Sequence, residues 1–194
     1  MATYHPSDHF DLDSILVEQQ KIPAVFGQVV PEYGFLDGLH DTSDLPAETR
    51  VELPFWMASE LAQRDIVQLD LPKCFGPKIM SDLTASAKAV PLNNICSYYF
   101  AFATKLLDLI EIRDLSSVLL EAFRSRIREV MDFTQTPQRP DRLDYLNALD
   151  ETEKQLYRAG RDSVHLFEKW QGSMTGRIRM ASVLERQAKR IRRS

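Results

Sequence analysis

The chain has 194 residues, 44% of them hydrophobic and 27% charged, a globular composition sized between one ordinary domain and two small ones. Its net charge of −4 is unevenly spread: residues 1–53 carry ten Asp/Glu against two Lys/Arg, whereas residues 136–194 carry eight against thirteen. No apolar run approaches the roughly 20 residues that span a bilayer, and Met1–Asp13 lacks the basic and apolar regions of a secretory signal, so neither a membrane span nor export is expected.

In chain order, Phe10–Gln20 reads as a short helix with Asp13 as N-cap and Leu12 stapled onto Val17, ended by Pro23. Ala24–Val30 and Tyr33–Leu36 are apolar and β-prone on either side of Pro31-Glu32, which predicts two short strands. Asp37–Glu48 is an acidic loop. Then one signal occurs twice. Val51 and Leu53 alternate with Glu52 up to Pro54, and Val67, Leu69 and Leu71 alternate with Gln68 and Asp70 up to Pro72. A spacing of two describes a strand with one buried face. Proline has no N–H to continue a central strand but fits the first turn of a helix. Each Leu-Pro therefore predicts a strand that hands over to a helix. Phe55, Ala58 and Ala62 share one side of the first helix, and Trp56 is turned away from them. The second helix is expected to reach about Ala87, with a break near Gly76-Pro77.

Beyond Pro91 the alternation disappears. Asn94–Ile110 is apolar on most of a helical circumference, which predicts a helix surrounded by protein. Asp114 is expected to cap the next helix. Its Leu115, Val118, Leu119, Ala122, Phe123, Ile127, Val130 and Met131 recur at three- and four-residue steps. Thr134–Pro140 is a loop. Leu146, Leu149, Leu156, Gly160, Val164, Phe167 and Trp170 keep one phase, which favours a continuous helix with a close contact at Gly160 over a turn there. The expected architecture is α+β and mainly α: a small β-rich module at 1–87 followed by a helical bundle at 88–194 with a basic tail. Helices with so little polar circumference predict that part of the surface faces another chain.

Catalysis needs convergent polar groups. Phosphate-loop, dinucleotide, nucleophile-elbow, zinc-protease and EF-hand patterns are all absent from the sequence. His5 and His9 lie four apart near the start of the chain and are not expected to form a metal site, and His165 reads as a surface or boundary residue. Cys74 and Cys96 lack metal or redox spacing and read as reduced, inert thiols. No enzyme activity, catalytic residue, cofactor or metal is therefore expected. Residues 175–194 hold seven Lys/Arg against Glu185. They fit a solvated helix, a nuclear-import signal at Ala188–Arg193, or a phosphate-neutralising arm. The last would make the chain a nucleic-acid-binding protein. Trp56, beside Phe55, is either an interface anchor or a core aromatic.

Several stretches together carry a family resemblance: F-D-L-D-S-I-L at the start, G-F-L-D at Gly34–Asp37, V-E-L-P-F-W-M-A with L-D-L-P-K, and L-N-A-L-D-E-T-E-K-Q-L-Y-R-A-G with F-E-K-W-Q-G. In this order, over about Phe10–Gly172, the chain resembles the third Psf-type subunit of the eukaryotic GINS complex. The resemblance implies a nuclear heterotetramer of four related subunits, each with a helical A domain and a small β-rich B domain, the B domain coming first here. It implies a non-catalytic scaffold that joins the MCM hexamer and a RecJ-like accessory protein to form the replicative DNA helicase. DNA would be touched only indirectly or weakly. The interface candidates are Phe55, Trp56, Phe102, Leu119, Phe123, Ile127, Phe167 and Trp170.

Overall fold

A computed structural model describes residues 10–36, 43–110, 112, 114–136 and 142–172. Eight helices and three strands are seen among them. Helix α1 (Leu12–Glu18) leads into β1 (Lys21–Phe26), followed by β2 (Arg50–Pro54), α2 (Phe55–Gln63), β3 (Val67–Leu69), α3 (Pro77–Ser86) and α4 (Leu92–Ile95). Helices α5 (Tyr99–Leu107), α6 (Leu115–Gln135), α7 (Arg142–Ala148) and α8 (Glu151–Gly172) complete the order. The α+β, mainly helical architecture is the expected one.

The strands form an antiparallel sheet in the order β2-β1-β3, with Ile22 opposite Leu53, Ala24 opposite Val51 and also opposite Leu69. The first Leu-Pro unit ends a strand, whereas β3 stops at Leu69, two residues short of Leu71-Pro72, and Leu71 is exposed. Pro54 closes β2 and stands at the N-cap position of α2. The second handover is less direct. A 3₁₀ turn at Lys73–Phe75 follows Pro72, and Gly76 breaks the chain before α3 starts on Pro77.

The strand expected at Ala24–Val30 begins earlier and contains Pro23, a proline in the central strand. Its carbonyl accepts from the Asp70 amide at 2.9 Å, so its nitrogen also faces the β3 side. With no N–H to return to Asp70, the ladder stops there, and β3 ends at Leu69. Val30 makes only an isolated bridge to Leu45. Gly34–Leu36 is a 3₁₀ turn and not a strand. At α1 the cap is Asp11, whose carboxylate accepts from the Asp13 amide, and Leu12 is exposed, so it staples nothing. Residues 37–42 of the acidic loop lie outside the described residues.

One apolar core runs from Val17 to Ala122. The inner sheet face contributes Ile22, Ala24, Phe26, Val51 and Leu53, and α2 lays Phe55 and Ala58 on it. Phe75, Tyr99 and Phe102 continue the core as a ring cluster, with centroids 4.9 Å apart for Phe75–Tyr99 and 5.7 Å for Phe75–Phe102. Three helical expectations need correction. Asn94–Ile110 is not one helix, because the chain is extended at Cys96 before α5. Asp114 occupies the cap position of α6 with φ 65°, but its side chain caps nothing, and Ser117 Oγ donates to its carbonyl instead. The C-terminal pattern breaks at Leu149-Asp150 between α7 and α8, whereas it passes through Gly160 as expected.

Candidate subunit interface

Helix α6 is 21 residues long, and its inward stripe is Leu115, Leu119, Ala122, Arg126, Val130 and Phe133. Steps of four, three, four, four and three keep one face turned inward. Arg126 is the surprise, since a buried cation needs a partner. It finds three. Its Nε and Nη2 donate to the two carboxylate oxygens of Glu153 at 2.6 and 2.8 Å, and its Nη1 donates to the carbonyls of Ala87 and Val90 at 2.6 and 2.9 Å. The forked guanidinium matches a carboxylate in this bidentate geometry.

Glu153 belongs in turn to a reciprocal cap. Its amide donates to Asp150 Oδ1 at 2.8 Å, and the Asp150 amide donates back to Glu153 Oε2 at 3.1 Å. The other Asp150 oxygen accepts from the Phe100 amide at 3.1 Å, so one carboxylate serves the first turns of both α8 and α5. Burial raises the Asp150 carboxyl from 3.8 to about 6, against the lowering effect of the two amides and of Arg126. The network joins the turn after α3 to α5, α6 and α8. Below it Val130, Phe133, Leu149 and Tyr157 form a second, small core, and Phe133 stacks on Tyr145 of α7 at 3.8 Å.

Arg126 meets Glu153 and Thr134 meets Gly160, so α6 and α8 run in the same direction. A Cβ on Gly160 would come within 2.7 Å of Thr134 Cγ2, which is the close contact the pattern predicts at this glycine. Arg161 donates to the Thr134 carbonyl at 2.9 Å, one residue before α6 ends. The last stretch of α8 runs on past that end, by roughly 16 Å at 1.5 Å per residue.

The eight interface candidates divide on this frame. Phe55 and Phe102 are 5% and 1% exposed and meet edge to face with centroids 5.6 Å apart. A partner could touch little of either, and Leu119 is buried in the same core while also lining the groove beside Phe123. Phe123 and Ile127 are half-buried, with Phe123 edge to face on Phe100 at 5.1 Å. Trp56 is 45% exposed, which places it outside the sheet module's core. Phe167 and Trp170 are 60% and 66% exposed, and their rings lie 5.8 Å apart on the overhanging end of α8. The expected stripe does not include Leu120, Leu143 and Leu166, which are exposed as well. Met131 was placed on the inward stripe and is exposed.

Other side chains fall where their chemistry suggests. Cys96 is buried and Cys74 half-buried, both as free thiols, and burial pushes the Cys74 thiol up to about 12. Such a group is a poor nucleophile. His165 is exposed on α8, while His5 and His9 lie outside the described residues. Among the described residues no three His, Cys, Asp or Glu converge as metal ligands, and no helix is long and apolar enough to cross a membrane.

Residues 10–63 match the family model of the PSF3 N-terminal domain, and residues 74–172 match that of the GINS complex protein helical bundle domain. The chain belongs to the PSF3 family of GINS complex proteins. It is 33% identical over 172 residues to the DNA replication complex GINS protein psf3 of Aspergillus fumigatus, covering 84% of this chain and 96% of the relative. The mouse protein of that name, PSF3, is 32% identical over 195 residues, covering 95% and 90%. The fission yeast one is 32% identical over 168 residues, covering 86% and 98%.

In this PSF3-family chain the Arg126–Glu153–Asp150 network was the feature least visible in the residue pattern, although two signals pointed to it. Arg126 interrupts an apolar stripe at a position where Leu119, Ala122 and Val130 fix the phase. Asp150-x-x-Glu153 has the spacing of a reciprocal cap.

Proposed function

We propose that this chain is a non-catalytic scaffold subunit of a GINS heterotetramer in the nucleus. Its helices would bind the three sister subunits, and the assembly would join the MCM hexamer and a RecJ-like accessory protein in the replicative DNA helicase. The observation that carries the reading is the exposed apolar surface on α6–α8, Leu120, Leu143, Leu166, Phe167 and Trp170, in a chain of this family. Exposed apolar area of that extent marks a protein contact. Phe123 borders an apolar groove of about 390 Å³ with Phe100, Leu107 and Leu120, and Ile127 follows it one turn on. These residues, with Trp56 and Trp170, are the proposed interface. The division into a β-rich unit at 1–87 and a helical unit at 88–194 belongs to the same proposal. DNA is contacted only weakly or through the partners.

The test is co-expression of the tagged chain with the other three GINS chains of the same organism, followed by sizing chromatography. One copy of each in a single peak is expected. Phe123→Asp should lose the co-purification, because a carboxylate left in an apolar contact is costly. A tagged chain that stays a monodisperse monomer in the presence of all three would overturn the reading.

A further inference from the structure

Helix α5 buries Tyr99, Phe102, Ala103 and Leu106 and turns its other side outward. At about 100° per residue that side runs, in angular order, through Leu107, Phe100, Thr104, Asp108 and Ala101. Its middle is small, with apolar bulk at one margin and a carboxylate toward the other. Thr104 is exposed, and its hydroxyl donates to the Phe100 carbonyl at 2.9 Å, one turn back, so no hydroxyl proton is left for a partner.

Two hollows open on this side and share Ala101, Thr104 and Thr152. The one toward α6, of about 390 Å³, has Phe100, Leu107, Leu120 and Phe123 in its wall. The one toward α1, of about 320 Å³, is lined by the carboxylates Asp11, Asp13, Asp108 and Glu151 and, among the described residues, by one cation, Lys105. Lys105 is already engaged, donating to Glu18 at 2.6 Å and to Ser14 Oγ at 2.9 Å. Asp13 accepts from the Tyr98 hydroxyl and from Gln155, and Glu151 pairs with Lys154 and Arg158. Asp108 has no side-chain partner among the described residues. The negative field reaches Tyr98, whose phenol is pushed up by burial and then by Asp13, Glu151 and Asp11.

The hollows are the two halves of one trough, apolar along α6 and acidic along α1, with Ala101 and Thr104 as its floor. We propose that one helix of a sister GINS subunit lies in this trough, with an apolar stripe against Leu107, Leu120 and Phe123 and a Lys/Arg edge above Asp108 and Asp11. The inference rests on the scaffold reading and adds the chemistry of the partner. A helix sets an apolar stripe and a charged edge side by side, which is the pattern of the trough. Small floor residues let the incoming backbone come close. Charge decides the edge. Carboxylates lining the trough with their one cation engaged repel an acidic helix or a nucleic-acid backbone, whereas a lysine or arginine over Asp108 completes a pair that the chain leaves open.

The test uses the tagged full-length chain co-expressed with the other three GINS chains of the same organism. The photo-crosslinking residue p-benzoylphenylalanine is placed at position 104, and the peptide it captures is sequenced by mass spectrometry. Capture of one sister-subunit segment with apolar residues at three- and four-residue steps and Lys or Arg along one flank is expected. Capture of a segment without that basic flank, of this chain itself or of a second copy, or no capture in an assembled complex, would overturn the proposal. Two substitutions report fit and charge separately. Thr104→Trp fills the trough and should lower the amount of sister chain retained about tenfold. Asp108→Lys sets a cation against the proposed basic edge and should lower it about tenfold as well, whereas Asp108→Glu should retain the wild-type amount. A lysine at this C-terminal end of α5 suits the helix dipole, so loss there is not a failure to fold. Wild type that keeps its sisters while Thr104→Trp and Asp108→Lys keep them equally well overturns the trough alone. Wild type that keeps none overturns the scaffold reading and the trough with it.

Discussion

The two ends of this chain are held by different physics. Around the sheet, aliphatic and aromatic side chains from Val17 to Ala122 form one continuous apolar core, which asks for no special geometry and encloses the Tyr99 hydroxyl without a hydrogen-bond partner among the described residues. At the other end α8 is held by four buried residues, Val130, Phe133, Leu149 and Tyr157, and by a buried ion pair with its cap. Burying charges costs several kcal/mol per ion, so the pair adds little net stability. What it supplies is register. Only one alignment of α6 on α8 gives Arg126 two carboxylate oxygens and two carbonyls at once. The sheet end is positioned by volume and the α8 end by hydrogen-bond geometry.

The sharpest way to break that comparison is to remove one charge. Arg126→Met leaves Glu153 buried without its cation and should destabilise the chain by about 3–5 kcal/mol. Arg126→Met with Glu153→Leu should recover a large part of the loss. Urea unfolding followed by circular dichroism measures both. A double variant as unstable as the single one would mean that the lost bonds to the Ala87 and Val90 carbonyls dominate.

In the apolar core the corresponding change is Phe102→Ala, with an expected cost of about 3–5 kcal/mol for the cavity. Here no second substitution of opposite polarity can rescue it, and the same urea titration makes the contrast. Rescue by an unrelated polar change would show that the two ends are not distinct.

Asp150 sharpens the comparison through pH. Its folded-state value, raised by burial to about 6 from 3.8, means that the native chain binds this proton more tightly than the unfolded one. The contribution of the group is therefore fully present below about 3.8 and is lost as pH rises through about 6. Asp150→Asn cannot titrate. The stability difference between wild type and this variant should change between pH 7 and pH 5, in favour of the wild type at the lower pH. A difference that stays constant over that interval would place the titration elsewhere.

The smallest effect is expected at Gly160. Gly160→Ala gains about 1 kcal/mol of helix propensity and loses about 1–3 kcal/mol to the clash with Thr134. The net is a mild destabilisation. Thr134→Ser removes the offending Cγ2, and in that background Gly160→Ala should stabilise. Thermal melts of the four chains decide the sign.

Much of this was legible in the residues. The paired Leu-Pro units located β2, β3 and the start of α2, because a strand's period of two and proline's missing donor are both local facts. Gly160 was legible as a contact because the helical phase continued through it. Pro23 misled: proline argues against a central strand, and only the short partner β3, which leaves its nitrogen facing no carbonyl that needs a donor, makes room for it. The break at Cys96 was hidden by apolar residues on both sides, since composition does not change where the backbone turns extended. The burial of Phe55 and Phe102 depended on how α2 and α5 pack on each other, and the exposure of Phe167 and Trp170 on where α6 stops relative to α8; no local pattern carries either.

Asp150 accepts the amides of Phe100 and Glu153, residues far apart in the chain, on two oxygens of one carboxylate. Neither amide can exchange with solvent deuterium while that carboxylate stays in place. A single excursion of one side chain uncovers both. The starts of α5 and α8 are thus a common exchange unit, opening with one rate, and in a time course the two amides should lose protection together even though the peptide segments around them do not.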